Sequence, residues 1–379
     1  MKQKQIKRVL LASAWQSYDL AAGVARYAVE ASWHLDMSFF ISGELPKDWK
    51  GEGILVLAGD GRMITRLFKI FDCPIVSLTV NRNGLNIPYA DADNAKAGML
   101  AAEHFLERNF RHFACYGLTD WPVDRLRCGG FAGKIAQAGH SCELLIWNRS
   151  RGTRKDSWDN RQKWLKQMLG RLPKPLGIFA VDDLRAVELI EAGLRLELRI
   201  PEDIAILGVG NHSLLSNTTS IPLSSVAIDE TRIGYEAAVL LDRCMQGRQP
   251  PKAPCLITPS GVIARKSTET IATEHPEVSK AVRFMLNHYH ESLSVVDIVA
   301  STALSQTRLY QAFNAEFGQS PARFLTRMRL DHAKKSLSES SRKLTTIAEE
   351  CGFGDTVNLF RIFKRYEGIA PAKWKQTRS

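Results

Sequence analysis

Two groups of side chains could do chemistry in this chain. The first lies near its carboxyl end. Gln306, Thr307, Tyr310, Gln311 and Asn314 fall on one face of a predicted helix. Thr356, Val357, Phe360, Arg361 and Arg365 fall on the matching face of a second, about 50 residues on. Gln and Arg each make paired hydrogen bonds to base edges, and Thr and Phe can touch a thymine methyl. The opposite faces carry Leu309, Ala312 and Phe313, and Leu359, Ile362 and Phe363, which should seat both helices on a core. The second group sits at the ends of predicted strands: Trp15, Tyr18 and Trp121 for stacking, with Asp60, Arg127, Asp182, Asp183 and Asn211 for hydrogen bonds to a small polar ligand. Taken singly, a strand-end Asp before a helix is more often a helix cap than a ligand group.

Catalytic and metal chemistry have little support. Gly208-Val-Gly210 follows a strand but lacks a third glycine, and there is no nucleophile elbow, P-loop or HExxH. His288 and His290 read as surface histidines, and Asp182–Asp183 has no neighbouring ligand set. The expectation is a protein that is not an enzyme, with no cofactor and no metal.

The elements that must position these groups follow from hydrophobic period. Apolar runs Arg8–Ala12, Gly53–Ala58, Pro74–Val80, Phe113–Tyr116, Leu144–Trp147, Gly177–Val181 and Ile204–Val209 predict strands. Helical runs separate them, the first with Asp19 as its expected N-cap. Strands alternating with helices imply parallel sheets covered on both faces. Breaks near Arg111 and Ser220 suggest two lobes with a cleft between them. The carboxyl-terminal part instead repeats itself. Ile298-Val-Ala-Ser-Thr-Ala-Leu304 matches Ile347-Ala-Glu-Glu-Cys-Gly-Phe353, and Gly318 and Pro321 match Gly368 and Pro371. Each copy reads as helix, tight turn, helix and stop signal, turning at Ala303–Ser305 and Gly352–Asp355. The predicted architecture is a two-lobed α/β effector domain (1–268), a linker (269–275) and an all-α DNA-binding domain (276–379). Its two helix-turn-helix motifs span about 293–314 and 344–365.

Composition agrees. A chain of 379 residues with 45% apolar and 24% charged residues is globular and long enough for two or three domains. Net charge is +11. The last 105 residues hold 16 Lys and Arg against 10 Asp and Glu, and the first 274 hold 35 against 30. The repeat is therefore the more basic part, and Arg323, Arg327, Arg329, Lys334, Lys335, Arg342, Lys343, Lys364, Lys373 and Lys375 are candidates for phosphate contacts. No run approaches the roughly 18 apolar residues of a membrane span, and Val9–Ala12 is too short for a signal peptide. A cytoplasmic location is expected, with the seven scattered cysteines reduced and mostly buried.

Two resemblances add to this reading. Ala90-Asp-Ala-Asp-Asn-Ala-Lys-Ala-Gly98, Val181-Asp-Asp-Leu-Arg-Ala, Ile200-Pro-Glu-Asp-Ile-Ala-Ile-Leu-Gly-Val-Gly-Asn211, Leu223-Ser-Ser-Val-Ala-Ile-Asp229 and Arg265-Lys-Ser-Thr268 resemble the effector core of LacI/GalR-type regulators, itself similar to periplasmic sugar-binding proteins. The resemblance implies lobe closure on a small ligand and places Arg127 at the family's sugar-contacting arginine. Gly210 stands where that family usually has Asp, which removes a carboxylate used on sugar hydroxyls. Arg329-Leu-Asp-His-Ala333, Ile347–Phe353, Phe363-Lys-Arg-Tyr-Glu-Gly368 and Ala370-Pro371 resemble the DNA-binding domain of AraC/XylS regulators; Asn358-Leu-Phe360 departs from that pattern. Together, in this order, they resemble the xylose operon regulator group. The implied protein is a homodimeric activator on double-stranded operator half-sites, with no membrane partner, controlled by a sugar-like effector, a pentose being favoured. The rivals are a constitutive regulator with a degenerate cleft, and a small-molecule binding protein or enzyme whose basic tail only mediates assembly.

Overall fold

The computed structural model describes residues 6–13, 17–46, 48–58, 61–80, 87–118, 121–339 and 342–376. Trp15 and Asp60 lie outside the described residues. Contacts divide the chain into Met1–Glu269 and Thr270–Ser379.

The first unit begins with β1 (Arg8–Ser13), α1 (Tyr18–Glu30), β2 (His34–Asp36), α2 (Ser38–Ser42), β3 (Gly53–Leu57), α3 (Gly61–Ile70) and β4 (Ile75–Ser77). Its four strands form a parallel sheet in the order β2-β1-β3-β4. Leu10, Leu11, Ile54 and Leu55 are fully buried because helices cover both faces. The first helix is capped by Ser17, whose hydroxyl accepts from the Leu20 N–H at 3.2 Å. Asp19, the expected cap, lies inside the first turn.

After β5 (Ala90–Ala92) the chain passes into the second lobe. There follow α4 (Asn94–Glu107), β6 (His112–Gly117), α5 (Pro122–Gln137), β7 (Cys142–Ile146), α6 (Trp147–Ser150), α7 (Trp158–Arg171), β8 (Leu176–Ala180), α8 (Asp183–Leu194), β9 (Ile204–Gly210), α9 (Ser213–Thr218) and β10 (Ser224–Ala227). The chain then returns to the first lobe as α10 (Glu230–Met245), which packs on α1, and β11 (Cys255–Ile257), which pairs with β5. β12 (Gly261–Ile263) closes the second sheet, ordered β12-β10-β9-β8-β6-β7. β12 is antiparallel, so the expected all-parallel sheet has one reversed edge.

The lobes therefore part near Asp93 and Asp229, not near Arg111 and Ser220. The reason is that α4 packs against α5 in the second lobe. A side chain at Gly98 would collide with the Arg127 carbonyl, and one at Gly130 with the Ala95 carbonyl. That close helix crossing fixes the backbone of Arg127. The cysteine expectation also needs correction. Cys115 on β6 and Cys128 on α5 form a disulfide, their Cα atoms 5.9 Å apart and thus within bridging reach. Of the free cysteines only Cys351 is buried; Cys73, Cys142, Cys244 and Cys255 are half-buried.

The second unit is helical: α11 (Pro276–His288), α12 (Val295–Ala300), α13 (Gln306–Phe317), α14 (Pro321–Glu339), α15 (Leu344–Glu350), α16 (Thr356–Glu367) and α17 (Pro371–Gln376). It has two apolar clusters. Val278, Ile298, Leu309 and Phe313 pack with Phe324, Leu325 and Met328 of α14. Ile347, Leu359, Phe363 and Trp374 pack with Leu330, Ala333 and Leu337 of the same helix. One long helix thus supplies a wall to each half of the repeat. Ile271, within the expected linker, packs on the first of these clusters.

Candidate effector cleft and nucleic-acid interface

Both second helices of the repeat are cut to the same pattern. Ser305 caps α13 by accepting from the Arg308 N–H, and Asp355 caps α16 by accepting from the Asn358 N–H at 2.7 Å. Each helix ends on a left-handed glycine, Gly318 or Gly368. Leu309 and Phe313, like Leu359 and Phe363, are fully buried, so the opposite face is forced outward. Gln306, Thr307, Gln311, Val357, Phe360, Arg361 and Arg365 are exposed, and Tyr310 and Thr356 are half-buried. Val357 is 76% exposed and Phe360 38%, so this outer face carries apolar as well as polar side chains. The turn before α13 is held by Glu277, whose carboxylate accepts from the Ala303 N–H at 2.6 Å. That bond, with Lys280 beside it, holds the Glu277 carboxyl below its ordinary value.

Three of the ten basic candidates for phosphate contact have other work. Arg329 Nε donates to the Tyr289 carbonyl and Nη2 to the Glu291 carbonyl, each at 2.7 Å. Lys334 pairs with Asp331 and Glu367, and Arg342 with Glu350. Arg323, Arg327, Lys335, Lys343, Lys364 and Lys373 are exposed.

In the first unit the strand-end residues sort by what already holds them. Arg127, half-buried on α5, donates from Nε to Asn94 Oδ1 at 2.8 Å and from Nη1 to the Val181 carbonyl at 2.6 Å. Asn94 is anchored in turn by Asp91, whose carboxylate also accepts from Thr79 Oγ1 and the Val80 and Ala92 N–H groups. Burial pushes the Asp91 carboxyl up, and those donors oppose it. Asp182 caps α8, accepting from the Arg185 N–H at 2.7 Å.

Asp183 departs from expectation. It has no exposed surface, and its carboxylate accepts from the Ser225 hydroxyl at 2.6 Å and the His212 N–H at 2.9 Å. It anchors the loop after β9 instead of facing a ligand, and burial raises its carboxyl. Asn211 is in the left-handed region, its side-chain oxygen accepting from Arg265 Nη2 at 2.7 Å. Tyr18 is 71% exposed with its ring edge-on to Phe40, and Trp121 is half-buried before Pro122.

Sequence reasoning missed Asn94, Asp91, Arg265, His212 and Glu230 as members of this site. Asn94 stood beside Asp93 as a second apparent cap, Asp91 acts through Asn94, and Arg265, His212 and Glu230 make contacts with residues distant in the chain. His212 Nε2 in the second lobe lies 3.7 Å from Glu230 Oε1 at the start of α10, and the Ser17 hydroxyl donates to Glu230. These groups cross the cleft between the lobes.

Comparison with known proteins matches this architecture. Residues 102–268 match the periplasmic binding protein-like domain, and residues 298–377 match a helix-turn-helix domain. The chain is thus a DNA-binding transcriptional regulator, a periplasmic-binding-protein-like domain followed by an AraC-type helix-turn-helix domain. It is similar to the xylose operon regulators along its whole length. It is 26% identical to the xylose operon regulatory protein of Escherichia coli (strain K12) over all of this chain and 99% of the relative. It is 26% identical to the Haemophilus influenzae protein of that name over 76% of this chain and 75% of the relative. The structure of a xylose-binding transcription activator superposes with TM-score 0.63 and 23% identity, covering 99% of both chains. No helix among the described residues is long and apolar enough to cross a membrane.

Proposed function

We propose that the chain is a sugar-responsive activator that binds operator half-sites as a homodimer. A small sugar-like ligand in the cleft between the lobes of residues 1–268 shifts the balance of open and closed lobes and so changes how the helix-turn-helix domains are offered to DNA. The observation that carries the reading is the pair of α13 and α16, each anchored on its own core and each turning a polar, partly apolar face outward. Arg127, Asp182 and Trp121 are the residues proposed to face the ligand, and Gln306, Thr307, Tyr310, Gln311, Thr356, Val357, Phe360, Arg361 and Arg365 those proposed to read bases. Relatives named for xylose favour a ligand of pentose size. The test is thermal melting of the full chain against a sugar panel, followed by operator titration with and without any sugar that stabilises it. A stabilising sugar that changes operator affinity supports the reading. A sugar that binds and leaves operator affinity unchanged overturns it.

A further inference from the structure

The chain crosses from one unit to the other with little slack. A 3₁₀ turn (Lys266–Thr268) follows β12, and Ser267 and Thr268 have no exposed surface. The Ser267 hydroxyl donates to the Ile206 carbonyl of β9 at 2.6 Å and accepts from the Ser224 N–H of β10 at 2.8 Å. Thr268 Oγ1 lies 2.8 Å from His104 Nε2 on α4 and 2.7 Å from Ser224 Oγ. The turn is thus built into the second lobe. Beyond it, Ile271 packs on the first helical cluster, and the His275 N–H donates to the Glu316 carboxylate of α13 at 3.2 Å. His275 Nδ1 accepts from the Glu277 N–H and so caps α11. Between these two anchored stretches stand Glu269 and Thr270, where the units divide. Two residues carry only about four soft backbone dihedrals, so the direction in which the turn points is passed on instead of being lost in a flexible tether.

The same turn is tied to the loop at the carboxyl end of β9. Asn211 sits there in the left-handed region, its N–H donating to Ser225 Oγ at 2.9 Å. Its side-chain oxygen accepts from Arg265 Nη2 at 2.7 Å, while Nη1 of the same guanidinium donates to the Leu223 carbonyl at 2.8 Å. The main-chain N–H of Arg265 donates to Ser224 Oγ at 2.7 Å, and Ser224 Oγ meets Thr268. Three hydrogen bonds therefore lead from the loop after β9 to the anchored turn. Closing the sheet edge needs only the Leu223 contact; the planar fork of an arginine lets one side chain hold that carbonyl and Asn211 together.

We propose that Arg265 is the positioning residue that couples the cleft to the joint. A ligand that shifts the loop at Asn211 pulls on Arg265, and through Ser224 and Thr268 re-aims the turn from which the chain enters the helical unit. The proposal rests on the sugar-responsive reading above and names its route out of the sensor. Coupling of this kind needs a contiguous chain of contacts whose arrangement both ends bias, and Asn211 and Thr268 are the two ends.

The first experiment needs no ligand. Hydrogen exchange of the full chain is compared for wild type, Thr268→Val, Arg265→Gln and the double variant, with the melting temperature of each reporting whether it folds. Breaking the far end by Thr268→Val should speed exchange of the amides at 210–213 by about threefold or more, the worth of one hydrogen bond, and should add nothing in the Arg265→Gln background. Unchanged amides at 210–213, or an equal effect of Thr268→Val with and without Arg265, would overturn the route. The second experiment uses a duplex selected by the wild-type chain from a random pool, with D-xylose, D-ribose or L-arabinose, whichever most raises the melting temperature. Thr268→Val should bind that pentose as the wild type does, while the ratio of duplex affinities with and without saturating pentose falls toward one. Arg265→Lys should keep part of the wild-type ratio and Arg265→Gln none of it. A full ratio in a folded Arg265→Gln would overturn the proposal. If no pentose raises the melting temperature, or the wild-type ratio is one, pentose control is overturned and the exchange experiment decides the route by itself.

Discussion

Arg361 shows what a reading residue looks like before it meets its target. Its guanidinium is exposed on α16, bonded at 2.9 Å to Asn358 one turn back. That bond holds it on the outer face without burying it. Arg361→Ala should therefore weaken binding to a specific duplex by about 1–3 kcal/mol, with the thermal melt unchanged. Fluorescence anisotropy against the same duplex reads the first and circular dichroism the second; unchanged affinity would remove Arg361 from the set. Asp183 teaches the opposite lesson. As a sequence position it looked like a ligand group, because a strand-end carboxylate is exposed unless something covers it. Ser225 and His212, 42 and 29 residues away, cover it, and long-range partners of this kind are invisible to local pattern.

At the scale of elements, α14 joins the halves of the repeat. Arg329 on this helix donates to the carbonyls that follow α11, and Gly352 at the end of α15 packs against the same Tyr289 carbonyl. Gly352 has φ of +73°, and a Cβ there would strike that carbonyl and crowd the guanidinium. Tyr289 also stacks on His332 at 4.0 Å. Arg329→Gln should free these carbonyls and loosen the junction, at a cost of about 1.5–3 kcal/mol for charged hydrogen bonds. Hydrogen exchange of the full chain should show faster amides around residues 289–293 with those of α1 unchanged; equal protection in both proteins would contradict the junction role. Glu277 adds a pH test. Its carboxyl lies below the ordinary glutamate value, chiefly through the Ala303 N–H. A depressed carboxyl contributes stability that is present above its unfolded pKa and lost as pH falls through the folded one. Glu277→Ala should thus lower the melting temperature at neutral pH and have a smaller effect in acid, where the wild-type carboxyl is protonated; an equal effect at both would exclude the charge.

Legibility at this scale followed length and local period. The long apolar strands β1, β3, β6, β8 and β9 were plain from burial on both faces, and α13 and α16 from their matched stop signals. The short strands β2, β5, β11 and β12, three residues each, carry too little pattern to read. β5 and β11 matter most, because they mark where the chain changes lobes. The Cys115–Cys128 bridge was hidden for a similar reason: it depends on how α5 lies on β6, not on spacing.

For the whole molecule, charge and architecture make one further prediction. The helical unit carries much of the excess Lys and Arg, and six of the ten candidates for phosphate contact are exposed and outside the internal pairs described above. Operator affinity should fall linearly on a log–log plot against salt, with a slope of about −0.9 per phosphate neutralised. A flat response would mean that these cations do not face a duplex. The two helix-turn-helix units of each chain also predict their target, half-sites that each hold two short blocks of sequence about one helical turn apart. The most direct measurement of the central claim is selection of bound duplexes from a random pool by the full chain, run beside a variant with Gln311 and Arg361 both replaced by Ala. The account predicts a two-block motif for the wild type, with both blocks lost or weakened in the variant. Enrichment of no motif, or of the same motif by both proteins, would contradict it.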